Sequence, residues 1–222
     1  MANFYLHLVC FILVFGCGRT GSTQNSNNDS KVHKNANEVQ VGSRCDGCEM
    51  MFEGMPAVEN ISSSTQIAGK NEPGERLEIT GTVLMPDGKT PAKDVILYLY
   101  HTDAVGKYSP AGSQTDAIRH GHLRSWVKTG EDGKFHVSTI RPASYPNTRI
   151  PQHIHIFIKE PGKSVYYIDE VWFDDDPMLT GDMKSRAEKR GGDMLVHLSK
   201  TGNSIWTGKM IIILGMNIPN YK

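Results

Sequence analysis

The sequence predicts an all-β domain, an antiparallel β-sandwich with long loops and little helix. Three observations indicate this fold class: the strand-like runs are short, turn signals separate them, and glycine and proline are frequent, with 22 and 11 residues among 222. Many short strands divided by turns are typical of sandwiches, whereas helical proteins carry longer periodic segments. The length is sufficient for one sizeable domain with its own core.

The predicted strands follow one another from residue 76 to the C-terminus. The first, residues 76–84, alternates apolar and polar side chains and ends at the turn Pro86-Asp87-Gly88. Further strands are predicted at residues 94–101, 123–129, 134–139, 153–159, 166–173 and 210–214. Aspartates 174–176 are expected to close the sixth strand and cap a short helical piece, since their spacing does not match a calcium-binding loop.

The first 40 residues differ in composition from the remainder. Residues 6–15 form an apolar run of signal-peptide length that ends at Gly16-Cys17. This ending resembles a bacterial lipobox, which predicts a signal peptide over residues 1–17 and a lipid on Cys17. Residues 18–40 are rich in Ser, Asn and Gly and are expected to form a flexible tether. We therefore expect an extracytoplasmic protein of the bacterial cell envelope, held to the membrane only by this lipid; the alternative is a simple secreted protein.

Residues 41–75 form the predicted lead-in segment before the sandwich, and they contain Cys45 and Cys48 with CxxC spacing. Outside the cytoplasm such a pair is usually oxidised or bound to a metal. A structural zinc needs two further ligands, and thioredoxin-like chemistry needs a strand–helix context that the segment lacks. A local disulfide is the favoured interpretation.

Charge and motif content exclude several classes of function. The 24 basic and 24 acidic residues cancel, so a nucleic acid is not expected as a partner. The sequence contains no nucleophile elbow, P-loop or dinucleotide-binding fingerprint.

The run His153-Ile154-His155 provides the main functional signal. Side chains alternate along a strand, so both histidines point to one face with Cα atoms about 6.7 Å apart, and both imidazoles can reach one metal ion. Ile154, Ile156 and Ile158 then face the core. On this pattern alone, two partly buried histidines satisfied by hydrogen bonds are the alternative to a metal site.

Two tyrosines at loop edges extend this pattern. Tyr108 and Tyr145 each follow a strand-like run, and with His153 and His155 they resemble the ferric-ion ligands of the intradiol ring-cleavage dioxygenases. The resemblance runs from Ile79 to the C-terminus. It rests on the blocks Gly81-Thr82-Val83 with Asp87-Gly88, Asp103-Ala104-x-Gly106-x-Tyr108, Arg124-x-Trp126-Val127-Lys128-Thr129 with Asp132-Gly133, Thr139-Ile140-Arg141-Pro142 with Tyr145-Pro146, and Pro151-x-His153-Ile154-His155.

The resemblance implies a prealbumin-like sandwich that binds Fe(3+) and acts on a catechol-type aromatic diol and O2. The implied reaction opens the ring between the two hydroxyls and gives a muconate-type dicarboxylic acid. Two phenolates and two imidazoles form a hard, anionic ligand set, which stabilises ferric over ferrous iron. By motif position, Tyr145 is the implied axial ligand that leaves the metal and takes up a proton, and Tyr108 is the one that stays.

One departure from the family pattern concerns an arginine. Many members carry it three residues before the first ligand histidine, where this chain has Ile150, and Arg149 stands one position earlier. On an extended segment, a shift of one residue reverses the side-chain direction. Arg149 and Arg124 are the candidates for stabilising developing negative charge, with surface or structural roles as the alternative for both. A second His-x-His, His120-Gly121-His122, receives no role because its glycine favours a loop.

Two hypotheses of different class follow. The first is an intradiol dioxygenase; the alternative is a non-catalytic prealbumin-like binding module at the cell surface, which explains the strands but not the four ligand-type residues. The ring substituents of the substrate and self-association into a homo-oligomer are left open, because the sequence does not place the loops that line the pocket.

Overall fold

The computed structural model describes residues 38–111, 119–200, 202 and 204–222. Within these residues the chain forms eleven strands and one α-helix. The elements are β1 Ser64–Gln66, β2 Arg76–Leu84, β3 Ile96–Tyr100, β4 Arg124–Lys128, β5 Lys134–Ile140, β6 His153–Lys159, β7 Tyr166–Tyr167, β8 Val171–Phe173, α1 Gly181–Arg186, β9 Leu195–Val196, β10 Leu198–Lys200 and β11 Trp206–Ile213.

The strands form two sheets that enclose one main core. The first sheet has the order β1-β5-β2-β11-β10, and the second has the order β4-β3-β6-β8-β9, with β7 paired to β6. The all-β sandwich is confirmed, but the sheets are mixed: the pairs β1/β5, β2/β11 and β8/β9 are parallel. Parallel neighbours need a long crossover connection. The chain provides one between β2 and β11, because every strand of the second sheet, together with β5 and β10 of the first, lies between them in the sequence.

Alternation along β3 and β6 separates the core from a second surface. Leu97, Leu99, Ile154, Ile156 and Ile158 point inward and pack with the buried residues of the first sheet. The opposite side of the same strands carries Tyr98, Tyr100, His153, His155 and Phe157. We call this side the aromatic face. The predicted orientation of the two histidines, away from the three core isoleucines, is thereby confirmed.

The lead-in segment covers part of the aromatic face. Its 3-10 turn Cys48–Phe52 places Met51 in the buried cluster on this face, and the indole N–H of Trp126 donates to the Met51 carbonyl at 2.7 Å. A disulfide joins Cys45 to Cys48, the pairing that the sequence favours. The segment also supplies β1, so it is part of the sandwich and not only a lead-in.

The N-terminal predictions mostly lie outside the described residues, including the signal peptide and the lipid on Cys17. The predicted tether ends too late, because Val39 already forms a bridge with Lys163 and residues 38–40 belong to the folded part. In the part of the chain that the structure describes, no helix has the length and apolar character needed to cross a membrane.

Three predicted elements need correction. The strand at 166–173 is two strands, because Asp169 leaves the ladder to hydrogen-bond the carbonyl of Arg190. The helix begins at Gly181 and is capped by Thr180, not by the aspartate run; Asp176 instead accepts hydrogen bonds from the backbone N–H of Gln152 and Met178. The last strand begins earlier than predicted, and the short strands β1, β9 and β10 were not predicted. Conversely, β2 and β6 have the predicted bounds.

Candidate metal centre

Four side chains converge at the start of β6. His153 and His155 project from the strand, while Tyr108 and Tyr145 reach them from two loops. The Tyr108 Oη atom lies 2.5 Å from Tyr145 Oη and 3.1 Å from His155 Nε2. Tyr145 Oη lies 3.2 Å from His153 Nε2 and 3.3 Å from His155 Nε2, and the two Nε2 atoms are 3.1 Å apart. The structure thus brings together all four residues that the sequence singled out as metal ligands.

The chemistry of these four atoms fits a bound cation. The Nδ1 atom of His153 is 2.7 Å from the Pro151 carbonyl, which can only accept, so Nδ1 carries the proton and Nε2 presents a lone pair. That lone pair faces the Nε2 atom of His155. Metal–ligand bonds of about 2.0–2.2 Å at right to tetrahedral angles separate neighbouring ligand atoms by roughly 2.8–3.6 Å. All contacts in the set except the short phenol–phenol hydrogen bond fall in this range.

Phenol oxygens distinguish the site from a common zinc site. Among the described residues, no group of three or more His, Cys, Asp or Glu side chains is arranged to hold a metal ion. Two imidazoles and two phenols are therefore the available donors, and hard anionic oxygens favour an ion of high charge.

Burial sets the protonation of the metal-free site. It lowers the pKa of His155 to about 3, with the neighbouring His153 ring adding to the effect, so His155 is neutral at physiological pH. Burial also raises the pKa of Tyr108, and the hydrogen bond with Tyr145 raises it further. The pKa of Tyr145 is raised by burial as well, although the hydrogen bond from Tyr108 opposes this shift. Both phenols are therefore neutral until a cation replaces their protons.

Two packed loops hold the tyrosines. The carboxylate of Asp103 accepts hydrogen bonds from the backbone N–H of Val105 and Lys107, both at 2.9 Å, and so shapes the loop that leads to Tyr108. Gly106 has a φ of +80°, and a Cβ atom there would lie 2.1 Å from the carbonyl oxygen of Ser144. Only glycine allows this contact, which explains the glycine of the Asp103-Ala104-x-Gly106-x-Tyr108 block.

An aromatic stack supports one of the histidines. The ring of Tyr100 stacks on His155 with centroids 4.5 Å apart and on His120 with centroids 3.7 Å apart. The carboxylate of Glu170 lies 3.8 Å from His155 Nδ1. Sequence reasoning did not assign Tyr100, His120 or Glu170 to the site. Strand alternation placed Tyr100 on a strand face, but its position beside His155 follows from the pairing of β3 with β6.

The two candidate arginines do not join the four donors. Arg124 pairs with Tyr100, one strand further from His155, and its guanidinium contacts the Tyr98 hydroxyl at 3.4 Å and Glu53 at 3.9 Å. Arg149 is exposed and makes no hydrogen bond or ion pair with any described residue. The charge-stabilising roles assigned to them stay predictions.

Cavity size does not single out this site. A cavity of about 1010 Å³ is an open groove on the first sheet whose lining includes Thr80, Lys134 and Ile211. A smaller cavity of about 290 Å³ borders the candidate metal centre and is lined in part by His155 and Glu170. Side-chain chemistry, not volume, identifies the functional site.

Comparison with known proteins agrees with this geometry. A protein family described as Dioxygenase matches residues 52–204. Catechol 1,2-dioxygenase 1 of Acinetobacter lwoffii is 34% identical over 101 residues, which are 37% of this chain and 31% of that protein. The 6-chlorohydroxyquinol 1,2-dioxygenase of Cupriavidus pinatubonensis is 30% identical over 105 residues, which are 40% of this chain and 37% of that protein. The matched region thus spans only about a third of these relatives' length.

Solved structures show the same fold. The dioxygenase domain of a fusion with a carbohydrate-binding protein from Streptomyces sp. SirexAA-E has a TM-score of 0.54 and 25% identity, covering 72% of this chain and 92% of that one. The 3-chlorocatechol 1,2-dioxygenase of Rhodococcus opacus 1CP has a TM-score of 0.52 and 22% identity, covering 67% and 62%, a likeness in fold alone. The family match covers most of the chain and includes all four donor residues, and the chain therefore belongs to the intradiol ring-cleavage dioxygenases.

Proposed function

We propose that this protein is a non-haem Fe(3+)-dependent dioxygenase that cleaves a catechol-type aromatic diol with O2 to a muconate-type dicarboxylic acid. One observation carries the proposal: two phenol and two imidazole donors lie within 3.3 Å of their neighbours in the set. The relatives are named as dioxygenases of catechol and of 6-chlorohydroxyquinol, and these names support an aromatic diol as the substrate class.

Tyr108, Tyr145, His153 and His155 would hold the ion. Two phenolates and one hydroxide balance the charge of Fe(3+), which limits the desolvation penalty of a buried metal. Bound there, a ferric ion would act as a Lewis acid toward the diol and as a template for the two substrates. The hydrogen bond from His153 Nδ1 to the Pro151 carbonyl keeps the imidazole in the tautomer that binds metals.

Tyr145 suits the role of a proton acceptor. Because burial raises the pKa of its hydroxyl, the phenolate of Tyr145 is a strong base whenever it is not bound to a cation. It can then take a proton from a hydroxyl group of the entering diol. Tyr108 lies in a loop that is hydrogen-bonded on one side to Asp103 and on the other to the segment 120–122. This support suits Tyr108 to be the ligand that remains on the metal when the diol binds.

The cellular location is part of the proposal. We retain the lipid on Cys17 and an extracytoplasmic position in a bacterial envelope, supported by the apolar run before Gly16-Cys17. Mass spectrometry of the mature N-terminal peptide tests this: an acylated Cys17 is expected, and a chain that retains residues 1–16 contradicts it.

A visible spectrum of the purified protein, with added ferric iron and then catechol, tests the function. We expect a tyrosinate-to-iron charge-transfer band that shifts on addition of catechol, followed by oxygen uptake. The double variant Tyr108→Phe/Tyr145→Phe should lose the band. Tyr98→Phe is the matched control, because its buried hydroxyl is on the same aromatic face but bonds to His120 and Arg124.

The product decides the reaction type. With isotopically labelled oxygen, intradiol cleavage places both oxygen atoms in a dicarboxylic acid. A folded protein that shows no band and no oxygen uptake with ferric iron would contradict the proposal and favour a non-catalytic binding module.

A further inference from the structure

His122 connects the turn before β2 to the loop that carries Tyr108. Its Nε2 atom is 2.9 Å from Glu72 Oε2, and its Nδ1 atom is 2.8 Å from the carbonyl oxygen of Ser109. A carbonyl and a carboxylate oxygen can only accept hydrogen bonds. Both ring nitrogens therefore donate, which makes His122 an imidazolium paired with the Glu72 carboxylate.

The contact reaches the peptide directly after Tyr108. The Ser109 carbonyl accepts a second hydrogen bond, from the backbone N–H of His122 at 3.0 Å. Gly121 packs against Tyr108 itself, since a Cβ atom on Gly121 would lie 3.0 Å from the Tyr108 Cα atom. The hydroxyl of Ser109 donates to Asp103 at 2.5 Å. The backbone around Tyr108 is thus held by His122 on one side and by Asp103 on the other.

The charges around His122 favour its cationic form. Burial of the ring opposes the charge, but the hydrogen bonds with Glu72 and the Ser109 carbonyl, and the nearby Asp103 carboxylate, raise the pKa of His122 above its usual 6.5. The remaining titratable neighbour, His101, is fully enclosed and bonded to Thr102 and Thr139, and burial lowers the pKa of that ring to about 4. His101 is therefore neutral and leaves the pair intact.

We propose that the Glu72–His122 ion pair is a positioning device for Tyr108, which holds its phenol oxygen beside the other three donors. Neither residue touches those donors, so both act through the backbone at Ser109. The inference deepens the proposed function and rests on it, because it takes Tyr108 to be a metal ligand. It gives a role to the His120-Gly121-His122 segment, which has the spacing of a metal-binding pair but a different function.

Hydrogen exchange of the metal-free protein is the first readout. In His122→Gln and Glu72→Gln, we expect the amides of residues 103–109 to exchange about tenfold faster, because a charge-assisted hydrogen bond that closes the loop is lost. The matched control is His136→Gln. Its imidazole Nε2 lies 2.6 Å from Glu78 Oε2, in a more exposed pair on the first sheet, away from Tyr108. It should leave this exchange unchanged.

Ferric affinity and the charge-transfer band are the second readout. Loss of a supporting contact behind a metal ligand typically lowers metal affinity about 10–100-fold. We expect a loss of ferric affinity in this range, together with a shifted charge-transfer band, for His122→Gln. His136→Gln should show neither effect. If His122→Gln does not fold, the same two measurements on the isosteric variant Glu72→Gln test the proposal.

The outcomes separate the two ideas. A wild-type protein that binds no ferric iron refutes the proposed function, whereas the exchange measurement still reports on the ion pair. Unchanged exchange at residues 103–109, or a ferric affinity equal to that of His136→Gln, overturns the inference.

Discussion

Replacing Gly106 by alanine should destabilise the protein through the contact between the two tyrosine loops. Gly106 has a φ of +80°, a region that costs an L-residue roughly 1–2 kcal/mol. The added Cβ would also lie 2.1 Å from the Ser144 carbonyl oxygen, and forcing an extra methyl group into packed structure costs about 1–3 kcal/mol. The two effects together predict a loss of about 2–5 kcal/mol in the free energy of unfolding.

Gly162→Ala separates the two contributions. Gly162 has a similar φ of +74°, but a Cβ atom added there would have no neighbour within 4 Å, so this variant reports backbone strain alone. Urea unfolding of both metal-free variants measures the difference, which we expect to be about 1–3 kcal/mol. Gly106→Ala should in addition weaken ferric binding, because the loops of Tyr108 and Tyr145 must separate. Equal destabilisation of both variants would refute the argument.

Three further predictions concern the core, the metal and pH. Ile156→Ala, at a side chain 1% exposed, should lower the free energy of unfolding by about 2–5 kcal/mol in urea titrations, and a loss below about 1 kcal/mol would contradict the packing. Ferric affinity, measured by competition with a chelator, should rise with pH, because the protons of Tyr108 and Tyr145 must be released; an affinity that is flat with pH would contradict phenolate binding. The pKa of His122 is raised in the fold, so its stabilisation is present below about pH 6.5 and lost as the pH rises through the raised value. The difference in Tm between wild type and Glu72→Gln should therefore shrink at alkaline pH, and a constant difference would argue against an ion pair.

Strand periodicity predicted local structure well and long-range pairing poorly. The alternation in residues 153–159 predicted both the bounds of β6 and the common face of His153 and His155. The break between Tyr167 and Val171 depends on a hydrogen bond from Asp169 to Arg190, which is distant in sequence and leaves no periodic signal. The parallel pairing of β11 with β2 likewise depends on the path of the intervening chain.

The helix cap shows a related limit. Three consecutive aspartates are good capping residues, yet Thr180 caps α1 through a hydrogen bond from the Met183 N–H at 3.2 Å. Asp176 is used to bind the loop before β6. Local capping preference was overridden by a tertiary contact that only the folded chain provides.

The sequence by itself determined the fold class and the faces of the strands, because these depend on local periodicity, and motif order singled out the four candidate ligands. Only the tertiary structure decided that Tyr108 and Tyr145, separated by 37 positions, meet at 2.5 Å beside two imidazoles. It also decided that Tyr100 supports His155, that Glu72 and His122 hold the Tyr108 loop, and that Arg124 is directed toward Tyr98. The physical reason is that side-chain geometry at a site is set by strand register and loop packing, which join residues far apart in the chain.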